Sequence, residues 1–156
     1  MASAAENGVK PVHRPRAVLD AAERREEIIQ TARALYEEKG LSHTTIQDIA
    51  NRMGVARSLF YHYFPDKDAV TAAVLDAYVE DYLEALHYWN ENRRRGDIEH
   101  ALRTITHLLR TALFEKDSFR AALASRENSA LYIDFINRVA EQTAHYLIDT
   151  TVRDYQ

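Results

Sequence analysis

The sequence predicts an all-α fold, and three observations carry the prediction. Apolar residues recur at three- and four-residue steps along most of the chain. Only 4 Gly and 3 Pro occur in 156 residues, too few breaks for a turn-rich β-sandwich. Glycines and capping side chains fall between the periodic segments, where helices start and stop. At 46% hydrophobic and 28% charged residues, the chain has ample apolar surface to bury. Its length fits one domain or two small ones joined closely.

Residues 1–19 hold Pro11, Pro15 and Gly8 and read as a flexible tail, with Arg14 and Arg16 giving it positive charge. That tail is either a solvated leader or a minor-groove arm. Asp20 and Glu23 resemble a capping pair, and Ile28, Ile29, Ala32, Leu35 and Tyr36 then form a helical stripe. Gly40 ends it. A second helix is expected from Thr44, with Gln47 completing a capping box and Ile46, Ile49, Ala50 and Met53 inward. Gly54 stops that helix, and Val55 plugs a very short connection to a third helix over about 56–63. Two short helices across a tight glycine turn make a helix-turn-helix pattern.

Pro65-Asp66 breaks the chain, and a long helix is expected from about Lys67 to Glu91. Its stripe is Val70, Ala73, Val74, Ala77, Tyr78, Tyr82, Leu86 and Trp89. A basic connection with Arg93, Arg94 and Arg95 follows. Asp97 can cap the next helix, whose expected inner face is Ile98, Leu102, Ile105, Leu108, Leu109 and Leu113. A short helix from Asp117 to Leu123 and a last one capped by Ser125 and running towards Arg153 complete the reading. The last carries Tyr132, Ile136, Val139, Thr143 and Leu147.

Several function classes are excluded by what the sequence lacks. With no cysteine there is no disulfide, thiol nucleophile or zinc–thiolate site. No His-Glu-x-x-His pattern, phosphate-cradling glycine loop or nucleophile elbow occurs. His100 and His107 lie seven apart without convincing metal spacing. We expect no enzyme, no metal and no cofactor. No apolar run reaches the roughly 18 residues of a membrane span, and the N-terminus lacks a secretory h-region. The net charge of −4 argues against a broadly basic nucleic-acid binder. It is unevenly spread, however. Residues 1–67 hold 10 Lys/Arg against 9 Asp/Glu, and residues 68–156 hold 10 against 15. Any nucleic-acid face is therefore small and lies in the first half.

One ordered set of motifs occupies that half. The Ile28–Gly40 helix and its glycine stop precede Thr44-Thr45-Ile46-Gln47-Asp48-Ile49-Ala50 and Gly54-Val55. Phe60-Tyr61-His62-Tyr63-Phe64 then runs into Pro65-Asp66-Lys67-Asp68. From Arg25 to about Val74 the chain resembles the DNA-binding domain of the TetR family of bacterial transcriptional regulators. Elementary geometry agrees. Ile46, Ile49, Ala50, Val55, Phe60 and Phe64 can form a core that leaves Arg57, Ser58, Tyr61 and His62 outside. Arg57 can address guanine bidentately, or meet a phosphate or solvent. Ser58 can touch backbone or base. Tyr61 and His62 suit phosphate contacts, with partial core packing the other reading for Tyr61. Leu59 can meet a thymine methyl or enlarge the core. Lys67 sits in a first helical turn, where the dipole disfavours a cation unless a phosphate docks there; the resemblance assigns it that phosphate. Thr44 is expected chiefly as a cap and Thr45 as a phosphate ligand, although both suit a plain capped helix. Family members often carry serine at the Ala56 position, glycine at Ser58 and a small residue at Leu59, so operator preference should differ.

The resemblance implies a head of residues 20–66 and a helical regulatory and dimerisation body of residues 67–156. It implies a double-stranded DNA operator, a small-molecule effector, a homodimer and cytoplasmic location. Candidate effector contacts are Tyr82, Trp89, His107, Phe114, Phe119 and Tyr132, each of which suits ordinary core or interface equally, with His145 a further switchable group. The arginines at 93–95 face an anionic ligand or solvent. The implied function is a one-component regulator, by family default a repressor, released from a near-palindromic operator by its ligand. The alternative is an architectural or protein-interaction module of the same fold without ligand control. Family members are usually longer, which leaves a short member, a truncated chain or a helix fusion as explanations.

Overall fold

A computed structural model describes residues 20–114, 123 and 128–155. The expected tail at 1–19, most of the Asp117–Leu123 helix, the Ser125 cap and Phe119 lie outside those residues. Six α-helices are described: α1 (Ala21–Lys39), α2 (Ile46–Met53), α3 (Arg57–Tyr63), α4 (Lys67–Asn92), α5 (Ile98–Phe114) and α6 (Ser129–Asp149). A 3-10 turn at Val152–Tyr155 follows. The described residues contain no strand.

α1 starts at the Asp20/Glu23 capping box and buries all five residues of its expected stripe. Gly40 closes it at φ 88°, ψ 157°. That positive-φ, extended region is open to glycine and nearly closed to L-residues, unlike the left-handed helical region of an ordinary stop. Gly54 does take the latter, at φ 67°, ψ 35°. There the Val55 N–H donates to the Ala50 carbonyl at 3.0 Å, which turns the chain directly into α3.

The start of α2 corrects the sequence reading. Its cap is Thr45, paired with Asp48, and not Thr44 with Gln47. Thr44 is buried, and its hydroxyl donates to the carbonyls of Gly40 (2.9 Å) and Leu35 (3.3 Å). It locks the α1–α2 loop to the end of α1. In a Thr-Thr pair the capping pattern fits either residue, and tertiary burial decides.

α4 packs against α1 on one side and against α5 and α6 on the other. This position between layers buries Thr71, Leu75 and Val79 as well as Val70, Ala73, Val74, Tyr78, Tyr82 and Leu86 of the expected stripe, leaving its Ala77 and Trp89 partly covered, because a helix covered on two sides needs more than one apolar face. Tyr36 and Thr71 share a buried hydroxyl pair at 2.9 Å across α1 and α4. Tyr82 does the same with Thr143 of α6 at 2.7 Å.

The α5 face also differs from expectation. Ala101 and Ile105 are buried, whereas Ile98 and Leu102 are 56% and 60% exposed. Ile105 is thus buried as expected and Leu108 and Leu109 pack partly on the core, so the departure is confined to the first turns, where Ala101 is covered in place of Ile98 and Leu102. The Asp97 cap is present, accepting from the His100 N–H at 3.0 Å. In α6 the inward residues are Phe135, Val139 and Thr143, with Tyr132, Ile136 and Leu147 only partly covered. α6 begins at Ser129 after Asn128 and ends at Asp149, short of Arg153.

Candidate nucleic-acid interface and effector cleft

α3 is seven residues long and has little intrinsic reason to persist alone. It is anchored by one fully buried ring, Phe60, and by Phe64 just beyond its end. The Phe60 and Phe64 centroids lie 5.8 Å apart, and Arg25 of α1 places its guanidinium 5.0 Å from the Phe64 ring. With those side chains inward, Arg57, Ser58, Tyr61 and His62 are exposed together and Leu59 is half-buried.

Arg57 is held before any ligand arrives. Its Nη2 donates to the Tyr61 hydroxyl at 2.7 Å, and its guanidinium carbon lies 5.3 Å from that ring. The Tyr61 ring in turn stands edge-on to Phe60 at 5.7 Å. Tyr61 thus combines partial packing with an outward hydroxyl. Ala56 precedes α3 with no side-chain cap, so the first N–H groups of α3 are free of a side-chain acceptor from it.

Two helix starts flank this face. At α2, Thr45 Oγ1 accepts from the Asp48 N–H at 3.1 Å, and the Asp48 carboxylate accepts from the Thr45 N–H at 2.7 Å. Lys39 Nζ lies 2.9 Å from the same carboxylate. The Thr45 hydroxyl and Lys39 hold the Asp48 pKa well below the ordinary carboxylate range. At α4, Asp66 accepts from the Ala69 N–H at 2.8 Å. Lys67 is half-buried, and its Nζ donates to the Leu41 carbonyl at 2.6 Å. Burial lowers its pKa, against a smaller raising effect of Asp68. The ammonium therefore ties the α1–α2 loop to the start of α4 with one of its three donors.

The expected effector residues separate. Trp89 and His107 line an α4–α5 cleft of about 740 Å3, with Asp81, Glu84, Tyr88 and Thr104 among its other walls. Trp89 Nε1 donates to Thr104 Oγ1 at 2.8 Å. Tyr82 is buried and faces a smaller cavity of about 160 Å3, together with Tyr78 and Phe135. Tyr132 lines neither space among the described residues, so it does not join Trp89 and His107. The Phe114 side chain and Phe119 lie outside what is described. His145 is exposed and 4.0 Å from Glu141, away from both spaces. Arg93, expected in a solvated loop, is instead buried, donating to Asn90 and lying 5.9 Å from the Trp89 ring centroid.

One charged cluster escaped sequence reasoning. Arg33 of α1 pairs with Asp81 of α4 at 2.6 Å and with Glu37 at 3.3 Å, over the Tyr78 ring at 4.1 Å. Tyr78 donates its hydroxyl to Glu37. Burial pulls the Arg33 pKa down, but the bonds to Asp81 and Glu37 outweigh it and the net shift is upward. The Arg33–Glu37 spacing was a legible helical pair; its partner across α4 was not. Among the described residues no group of His, Asp and Glu could hold a metal ion, and no helix is long and apolar enough to cross a membrane.

Comparison with known proteins adds ancestry to this geometry. The family model described as bacterial regulatory proteins, tetR family, matches residues 28–74. The HTH-type transcriptional regulator EthR of Mycobacterium tuberculosis is 36% identical over 103 residues, covering 65% of this chain and 48% of EthR. The HTH-type transcriptional repressor KstR2 of Mycolicibacterium smegmatis is 28% identical over 129 residues, covering 83% of this chain and 58% of KstR2. The chain spans about half the length of the curated relatives it matches. A transcriptional regulator from Aquifex aeolicus shares the fold at TM-score 0.56 and 19% identity, over 79% of this chain and 70% of its own. A TetR-family regulator from Bordetella parapertussis does so at TM-score 0.53 and 23% identity, over 81% and 68%. A matched family model and a shared all-α frame converge: residues 28–74 match the tetR-family model, on a chain that shares the all-α fold of those solved regulators.

Proposed function

We propose that this chain is a one-component transcriptional repressor with a head of residues 20–66 and a regulatory body of residues 67–156. Two copies would bind a near-palindromic operator, and a small molecule in the body would release it. The observation that carries this reading is the α3 face. Arg57, Ser58, Tyr61 and His62 are exposed together on a helix whose opposite side is pinned by buried Phe60 and Phe64. A recognition helix in the major groove needs that division.

Within the reading, Arg57 reads a base, its guanidinium pre-oriented by Tyr61. Ser58 and Leu59 tune the neighbouring contacts, and Tyr61 and His62 approach the backbone. Thr45 and Lys67 sit at helix starts, where free N–H groups and phosphate oxygens complement one another, and the exposed Thr45 hydroxyl, which donates to Asp48 at 2.6 Å, would exchange that acceptor for a phosphate. Thr44 has no such part, its hydroxyl being spent inside the head. The α4–α5 cleft, with Trp89 and His107 in its walls, is the effector site, and Tyr82 serves as core beneath it. Because α4 runs from Lys67 to the cleft walls, an occupant that displaces α4 changes the spacing of two heads and loses simultaneous engagement.

The test is selection of bound sequences from a random duplex pool by the purified chain at physiological salt. A recovered near-palindrome supports the dimeric regulator. An isolated half-site overturns the dimer, and no enrichment by folded protein overturns sequence-specific binding altogether.

A further inference from the structure

Asp81 faces two ways. Its carboxylate is bound by Arg33 of α1 at 2.6 Å, and the same residue lines both the α4–α5 cleft and the smaller cavity beside it. Its side chain is 55% exposed, so a molecule in the cleft can reach it. Glu84, one turn further along α4, lines the same end and has no ion pair among the described residues. The middle of the cleft is walled by Ala85, Tyr88, Trp89 and Leu108. At the far end Arg93 and His100 also line the cleft, but Arg93 is only 8% exposed, its Nε–H donating to Asn90 and its guanidinium lying towards the Trp89 ring. Negative charge is thus accessible at one end, beside an aromatic wall.

We infer that the effector is an organic cation with an aromatic body, and that it acts by taking the Asp81 carboxylate from Arg33. The inference rests on the effector reading above and names the chemistry and the coupling residue of that site. Arg33 is not stranded by the exchange, because Glu37 and the Tyr78 ring still hold it. What is lost is a tie between α4 and α1. α1 leads into the loop whose Leu41 carbonyl receives Lys67, so loosening it reaches the start of α4 at the DNA-facing side. Asp81 and Arg33 are positioning residues here, and neither touches DNA.

Linkage gives the inference an unusual sign. If Arg33 and the cation compete for one carboxylate, removing Arg33 tightens cation binding although Arg33 lies outside the cleft. The protein carries a built-in reporter, since Trp89 is its single tryptophan and lines the cleft. The probes are tetraphenylphosphonium and tetraphenylborate, of matched shape and opposite charge, titrated against Trp89 fluorescence of the full chain. The phosphonium should quench saturably and the borate should not. Asp81→Asn should weaken phosphonium binding about three- to tenfold, and Arg33→Gln should tighten it about threefold. Where Arg33→Gln fails to give a helical circular dichroism spectrum, Arg33→Lys, with no bidentate fork, should shift affinity in the same direction.

Equal binding of both ions, no saturable quenching, indifference to Asp81→Asn, or weaker binding on losing Arg33 would each overturn the inference. None of these readouts involves DNA. A chain that selects no duplex yet shows this pattern refutes the regulator reading and keeps the cleft chemistry; the converse result refutes the cation and keeps the regulator.

Discussion

The two ends of this molecule solve the same packing problem differently. In the head, α1 to α3 bury Ile28, Leu35, Tyr36, Ile49, Phe60 and Phe64 against the first turns of α4, and both ends of α1 and of α2 are fixed by a cap, a glycine or the Thr44 lock. In the body, α5 and α6 leave Ile98, Leu102, Ile133 and Ile148 more than half exposed, and an open cleft separates α4 from α5. Determinants in the head are local and dense, whereas those in the body are spread over long helices with room between them. The proposed function would use that division, since of a reading surface and a control surface only the second has to change shape.

The contrast is sharpest in the core. Phe60→Ala should destabilise the chain by about 3–5 kcal/mol in chemical denaturation, as expected for an emptied aromatic site. Leu102→Ser, equally apolar but exposed, should stay within about 0.5 kcal/mol. Comparable losses would erase the distinction between the two regions.

The two glycines of the head should rank by conformation. A Cβ at Gly54 meets nothing within 4 Å, so Gly54→Ala should cost only the left-handed backbone penalty, about 1 kcal/mol. Gly40→Ala, at φ 88° and ψ 157°, should cost more, about 2–3 kcal/mol. The reverse order by thermal or urea denaturation would refute the backbone account of these turns.

Lys67→Ala should weaken binding to all duplexes alike and lower the salt slope by about one phosphate contact. An unchanged slope would leave Lys67 as a loop tie to Leu41 and nothing more. The smallest effect is expected at the α2 cap. The Asp48 pKa is depressed in the folded chain, so its stabilisation is present above its unfolded pKa and is lost as pH falls through the folded value. Asp48→Asn should therefore lower stability modestly at neutral pH, and the gap from the parent chain should close in strong acid. A gap independent of pH would assign the cap to geometry alone.

How far the sequence could be read follows the same division. The α1 stripe, the Gly54 turn and the aromatic anchor of α3 were legible because each is set by residues within a few positions of one another. The cap falls on Thr45 rather than Thr44 because only a contact with the preceding helix, which buries Thr44, tells the two apart. The α5 face was misplaced at Ile98 and Leu102 because apolar periodicity states that a helix has a face, not which neighbour selects it. Arg33 and Asp81 were invisible as a pair, being 48 positions apart in the chain, although Arg33–Glu37 was readable on one helix. Trp89 and His107 do share a wall, but nothing in their spacing said that Tyr82 would sit behind it.

The central claim is that the outward face of α3 reads DNA sequence. Selection from a random duplex pool, run in parallel with the parent chain and Arg57→Ala, tests it most directly. The parent chain should select one near-palindrome, and the variant the same motif with one relaxed base pair in each half and about 1–3 kcal/mol weaker binding. The same motif with undiminished preference at every position would contradict it.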